Sequence, residues 1–225
     1  MHTILPSPPA ADLIVYPQSD GKPRAENTWQ ARWMVLLYGN LRSFLDLREA
    51  FVAMDLLWYP VEGQSKISAA PDVMVVFGRP DGDRPSWMQW KEEGLGPQVV
   101  FEVLSPSNSA IEMLNKQHWY GMYGVEECIV IDPGTNPGDP ERFSALQRHD
   151  GVLKPVPVSE AGWTSPRLGV RFCEEAGRLR IYAPDGSPFR SFESLKQQLE
   201  DEKRRAEEAL AEVERLRARL RELEP

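Results

Sequence analysis

The chain has 225 residues, 41% of them hydrophobic and 27% charged, a balance that excludes a disordered or collagen-like polymer. No apolar run approaches the roughly 20 residues that a transmembrane helix needs, and the length predicts one substantial fold with an appendage. A formal net charge of -8 argues against coating nucleic acid through the overall field, yet it leaves room for a local contact where a bound cation reverses an acidic site.

Taken in chain order, Met1-His2-Thr3-Ile4-Leu5-Pro6 has neither the basic start nor the long apolar centre of a signal peptide, so a cytoplasmic location is expected. Pro6, Pro8, Pro9 and Pro17 forbid regular helix and predict an extended arm over residues 1–26. From Asn27 or Thr28, which can cap a helix, Trp33, Leu36, Leu37, Leu41, Phe44 and Leu45 recur at three and four, predicting a helix that ends near Arg48. Short apolar runs then predict a sheet: Leu56 to Tyr59, Val73 to Phe77, Val99 to Leu104 and Glu127 to Ile131. Their continuity, rather than strict alternation, predicts strands covered on both faces.

Ser105-Pro106-Ser107-Asn108 supplies capping side chains for a second helix, with Ile111, Met113, Leu114, Trp119 and Met122 at roughly helical spacing and Gly124 as its stop. Further on come a hairpin around Asp150-Gly151, a loop from Trp163 to Gly169, strands near Val170 to Phe172 and Leu179 to Tyr182, and a Pro-Asp-Gly turn at 184 to 186. These elements form an α/β domain over residues 27–190. Residues 191–225 differ: Phe192, Leu199, Ala206, Val213 and Leu220 stand seven apart, with Leu195, Ala209, Leu216 and Leu223 on the alternate seam and Glu202 as a polar break. Such heptads read as a coiled coil. They also fit one amphipathic helix folded back on its own domain, and the heptads alone do not choose between a homodimer and another partner.

The chemistry begins with an anomaly. Glu102 stands inside the apolar run Val99-Val100-Phe101-Glu102-Val103-Leu104, and a buried carboxylate must be neutralised, paired or metal-bound. Asp72 opens the preceding apolar run directly after Pro71, and two acids at the ends of neighbouring strands suit Mg²⁺ or Mn²⁺. Lys116 and Tyr120, spaced i,i+4, share a face of the following helix with Glu112 one turn earlier. Each residue has a plain structural explanation: a turn at Pro71-Asp72, an arginine partner for Glu102, an exposed Lys116–Glu112 pair. The arrangement as a whole is more specific than its parts. The three histidines, His2, His118 and His149, offer no zinc spacing, the glycines form no phosphate loop, and Cys128 and Cys173 read as buried thiols. Trp87, Trp90 and Trp163 could stack on bases or simply pack.

The segments AAPDVMVVFGRP, VVFEVLSPSNS and NKQHWYGMYGVEECIVIDP, between Ala70 and Pro133, resemble the Uma-type family of restriction-endonuclease-like proteins, within the PD-(D/E)XK nuclease superfamily. Tyr16 to Pro23 with Glu26-Asn27, Ser165 to Gly169 and the PDGSPF segment before the heptads resemble other parts of that family. The resemblance implies a restriction-endonuclease-like core, a mixed central sheet flanked by helices, and metal-dependent hydrolysis of DNA. Asp72 matches the PD aspartate and Glu102 the acid of (D/E)XK, but Leu104 stands where that pattern has lysine. Lys116 matches a lysine that has migrated to the helix, Tyr120 resembles the helical tyrosine of related nucleases, and Val103 (through its carbonyl) and Glu26 are further ligand candidates. The competing expectation is a non-catalytic scaffold of the same fold that dimerises or recruits a partner through its coiled coil.

Overall fold

The computed structural model describes residues 14–19, 21, 25–45, 49–136 and 138–223. Most of the expected N-terminal arm, including Pro6, Pro8 and Pro9, and the helix end near Arg48 lie outside the described residues. The chain divides into two compact units after Pro188.

In the first unit α1 spans Thr28–Leu45. Asn27 caps it, its Oδ1 accepting the Gln30 N–H at 2.9 Å. Residues Met34, Leu37, Leu41 and Leu45, spaced three and four apart, form its buried stripe. Six strands, β1 (Ala50–Met54), β3 (Val73–Phe77), β5 (Val99–Val103), β6 (Glu127–Asp132), β7 (Arg142–His149) and β8 (Val152–Pro155), then form a mixed sheet in the order β1-β3-β5-β6-β7-β8. β5 and β6 are parallel and joined through α2 (Ala110–Met122), and the other neighbours in this sheet are antiparallel. Strands β3, β5 and β6 are buried nearly throughout, as continuous apolar runs require when both faces are covered. On one face Met74, Val76, Val100, Cys128 and Val130 pack with Trp58, Met113 and Tyr120. The alternate residues of these strands face the other way, where the Phe101 ring meets Phe172 at 6.3 Å.

Three expectations need correction. The first sheet strand is β1, not the run Leu56 to Tyr59: Asp55, at φ 50°, turns the chain after Met54, and only Trp58–Tyr59 (β2) is extended, paired with β4 (Trp87–Met88) in a separate small sheet. Ile111, Leu114 and Met122 do not form the buried face of α2; they are exposed, and Met113, Tyr120 and Gly121 are inside. The expected loop from Trp163 contains a two-residue strand, β9 (Trp163–Thr164), which joins β10 (Arg171–Glu175) and β11 (Arg178–Tyr182) in a third sheet. The hairpin at Asp150-Gly151 is present, with His149 opposite Val152 and φ values of 53° and 80° at the two loop residues, the signature of a type I′ turn.

The second unit is α3, Phe192–Leu223, whose apolar positions Phe192, Leu195, Leu199, Leu210, Val213 and Leu216 are exposed. Among the described residues no helix is long and apolar enough to cross a membrane.

Candidate metal centre

Strand register brings the two acids together. Val73 lies opposite Phe101 in the antiparallel pair β3/β5, so one step further along the ladder Asp72 faces Glu102. Both are buried, at 8% and 3% exposure. The Val103 N–H donates to Asp72 Oδ2 at 2.6 Å. Burial raises the Asp72 carboxyl above its ordinary value, opposed by the Val103 N–H, the Lys116 charge and the Gln30 amide. Burial pushes Glu102 up to about 7, opposed by the Lys116 ammonium and reinforced by the nearby charge of Asp72.

Helix α2 delivers the partners of Glu102. Ser109 Oγ accepts the Glu112 N–H at 3.1 Å and fixes the start of the helix, so Lys116 and Tyr120, one turn apart, both face the end of β5. Lys116 Nζ donates to Glu102 Oε2 at 2.8 Å, and the Tyr120 hydroxyl donates to Oε1. The alternative Lys116–Glu112 surface pair is not the contact that forms. Burial works against the Lys116 ammonium, but the Glu102 carboxylate outweighs it and the pKa stays raised. Burial and the charge of Glu102 hold Tyr120 well above its ordinary value, so it remains a protonated donor. The Lys116 side chain is 31% exposed against 4% for Glu102, so the lysine is the member of this pair that reaches solvent.

Glu26 accepts hydrogen bonds from Ser105 Oγ, at 2.6 Å, and from Ser107 Oγ, anchoring the loop between β5 and α2. Its charge still raises the Asp72 carboxyl. The residue that sequence reasoning missed is Gln30. Its Nε2 lies 3.5 Å from both carboxylate oxygens of Asp72 and 3.2 Å from the Val103 carbonyl oxygen, while its Oε1 accepts the Glu26 N–H at 2.8 Å. The signal was there: Gln30 continues the stripe Met34, Leu37, Leu41 one turn backwards, a polar residue on a buried face just as Glu102 is in its strand.

Asp72, Glu102 and the Val103 carbonyl would offer an all-oxygen donor set with two carboxylates, the kind that suits a cation that keeps several waters, as Mg²⁺ does. Among the described residues no group of three or more His, Cys, Asp or Glu is arranged to hold a metal, so the protein offers no fuller cage there. His118 and His149 lie on the surface side of their elements, and Cys128 and Cys173 are buried free thiols. Trp87 is fully buried, stacks on Phe51 and donates to the Leu95 carbonyl at 2.8 Å; Trp90 and Trp163 are partly buried, Trp90 packing on Tyr16 and Trp163 on Phe172.

A third buried acid stands on the neighbouring strand. Glu127 opens β6, and its carboxylate accepts from Ser165 Oγ and from the Arg167 N–H, the latter at 3.0 Å. Ser165 Oγ in turn accepts the Leu168 N–H at 3.0 Å, so Glu127 organises the loop from Ser165 to Gly169.

The sequence pattern of the Uma2 family, described as a putative restriction endonuclease, matches residues 14–174. A solved structure titled as a putative nuclease belonging to DUF820, from Anabaena variabilis, is 14% identical, covers 68% of this chain and 82% of its own, and superposes with a TM-score of 0.46. No curated protein matches the chain.

Proposed function

The chain belongs to the Uma2 family of restriction-endonuclease-like proteins, and from that premise we propose that it hydrolyses DNA phosphodiester bonds with a divalent cation held at Asp72, Glu102 and the Val103 carbonyl. The observation that carries this reading is the Glu102 carboxylate, buried beside Asp72 and bound by a lysine and a tyrosine from one helix face. An arginine would neutralise a buried acid more simply, because its charge is held at any pH and its fork satisfies both oxygens. A lysine that reaches solvent and a second acid suit chemistry better than packing.

Mg²⁺ or Mn²⁺ at these oxygens supplies Lewis acidity toward the phosphate and acidifies a water. The chain's own residues do the rest. Lys116, whose side chain is partly exposed, orients the attacking water or stabilises charge on the phosphoryl oxygens. Tyr120, fully buried, is a positioning residue: its hydroxyl holds one oxygen of Glu102. Gln30 positions Asp72 against the Val103 carbonyl, and Glu26 contributes a more distant negative charge.

The test is cleavage of supercoiled and single-stranded DNA with Mg²⁺ or Mn²⁺, comparing wild type with Glu102→Gln and Asp72→Asn, alongside calorimetric titration of Mn²⁺. Cation-dependent cleavage by wild type alone supports the reading. Cleavage by all three proteins removes this site from the mechanism. Silence in all three with no cation bound favours a non-catalytic scaffold.

A further inference from the structure

We propose that α3 pairs with α3 of a second copy of this chain as a parallel, in-register, two-stranded coiled coil. This stands apart from the nuclease reading, since it rests on residues of the second unit alone.

The helix runs for 32 residues, about 48 Å at 1.5 Å per residue. Its apolar residues follow a 3.5-residue average spacing: Phe192, Leu199, Ala206 and Val213 on one seam, Leu195, Ala209 and Leu216 on the other. Leu199 is 68% exposed and Phe192 76%, so the stripe is open to a partner along its length. Heptads specify an occupant whose own seam repeats at the same period, and the residues flanking the seam decide which one.

Those flanking charges single out one alignment. In a parallel pair in register, Glu212 meets the partner's Arg217, and by symmetry this contact occurs twice. Gln198 meets the partner's Lys203, and Arg205 meets the partner's Leu210, so none of these contacts sets like charges together. Sliding one chain by a heptad puts Arg205 against the partner's Arg217 from one side, and Arg205 against the partner's Lys203 and Arg219 against the partner's Arg217 from the other. Reversing one chain for full overlap sets Lys196 against the partner's Arg217 twice, cancelling the attraction it gains between Arg205 and Glu212. Among the flanking charges, only the parallel, unshifted pair has attraction without repulsion. It also carries a built-in weakness, because Glu202 occupies a seam position and meets its own copy there.

The experiment uses the full chain of 25.6 kDa and measures mass by light scattering across a dilution series. Wild type is expected as a dimer. Glu212→Lys sets lysine against the partner's Arg217, and Arg217→Glu sets two acids together, so each variant alone should dissociate about tenfold more readily. Mixing the two should restore pairing as a heterodimer. There each reversed charge finds the opposite reversed charge across the interface, while the unaltered Glu212 of one chain meets the unaltered Arg217 of the other. Glu202→Leu should tighten the wild-type dimer by about tenfold or more. Helicity by circular dichroism separates lost pairing from lost helix. A monomeric wild type at tens of micromolar overturns the proposal. So does a dimer indifferent to both charge reversals, or a failure of the mixture to rescue.

Discussion

The same sheet buries two glutamates on adjacent parallel strands, and they are held in opposite ways. Glu127, 2% exposed, is bound by a serine hydroxyl and a backbone N–H, groups that do not titrate and that tie down one loop. Glu102, 3% exposed, is bound by an ammonium and a phenol, lies opposite a second buried carboxylate, and has a partner that reaches solvent. Burial raises both carboxyls. What differs is whether the surrounding groups can exchange partners, and on the proposed function that separates an acid that holds the fold from one placed for chemistry.

The sharpest break in this comparison is catalytic. Glu102→Gln should lower cation-dependent cleavage by about a thousandfold or more, the scale of a lost charge at a phosphoryl-transfer site, while Glu127→Gln should leave turnover within about threefold. Equal losses in the two would mean that both acids are structural. Lys116→Met should lower turnover by about a hundredfold yet leave Mn²⁺ binding measurable by calorimetry; if binding vanished, the lysine would be a structural prop for Glu102. Stability should rank the two regions the other way. Glu127→Ala leaves the Ser165 hydroxyl and the Arg167 N–H without their acceptor and should cost about 1–3 kcal/mol in urea unfolding.

How much of this was legible in the sequence follows from how each residue announces itself. Glu102 could be found because a carboxylate in an apolar run violates burial, and Lys116 and Tyr120 because i,i+4 spacing puts them on one helix face. Glu127 was hidden, since an acid at the first position of a strand looks like an ordinary edge. Its partners Ser165 and Arg167 are some forty residues away along the chain, a separation that no local pattern reports. Strand β1 was missed because Ala-Phe-Val-Ala-Met mixes helix and strand formers just after a helical pattern, and tertiary pairing with β3 decides it. In α2 the apolar residues Ile111, Leu114 and Met122 misled, because the face that meets the sheet is the one carrying Tyr120 and Gly121. At Gly121 an added Cβ would come within 3.1 Å of the Leu153 backbone nitrogen, so helix and β8 approach closely there. Closeness, not hydrophobicity alone, sets that face.

Gln30 sharpens the comparison from the metal side. A neutral amide now faces both Asp72 oxygens and the Val103 carbonyl. Gln30→Glu replaces a donor with a third carboxylate at this spot, so Mn²⁺ affinity by calorimetry should rise by about tenfold while the cation-free protein loses stability through repulsion with Asp72. An unchanged affinity would place the cation elsewhere. The reverse exchange, Glu127→Gln, should leave Mn²⁺ affinity untouched.

The smallest effect is a pH slope. Burial raises the Glu127 carboxyl above 4.5, outweighing the Ser165 and Arg167 hydrogen bonds that pull it down. The folded state therefore keeps this proton at pH values where the unfolded chain has already released it. Stability attributable to Glu127 is greatest below 4.5 and falls as pH rises through the folded value. Glu127→Gln removes that proton, so its unfolding free energy should fall less steeply than that of wild type just above pH 4.5. Glu102 contributes a slope of the same sign, and because it is present in both proteins the difference between the two curves isolates Glu127. A wild-type curve that instead rose more steeply than the variant's across this window would mean that the hydrogen bonds dominate burial, and that Glu127 is the better solvated of the two acids.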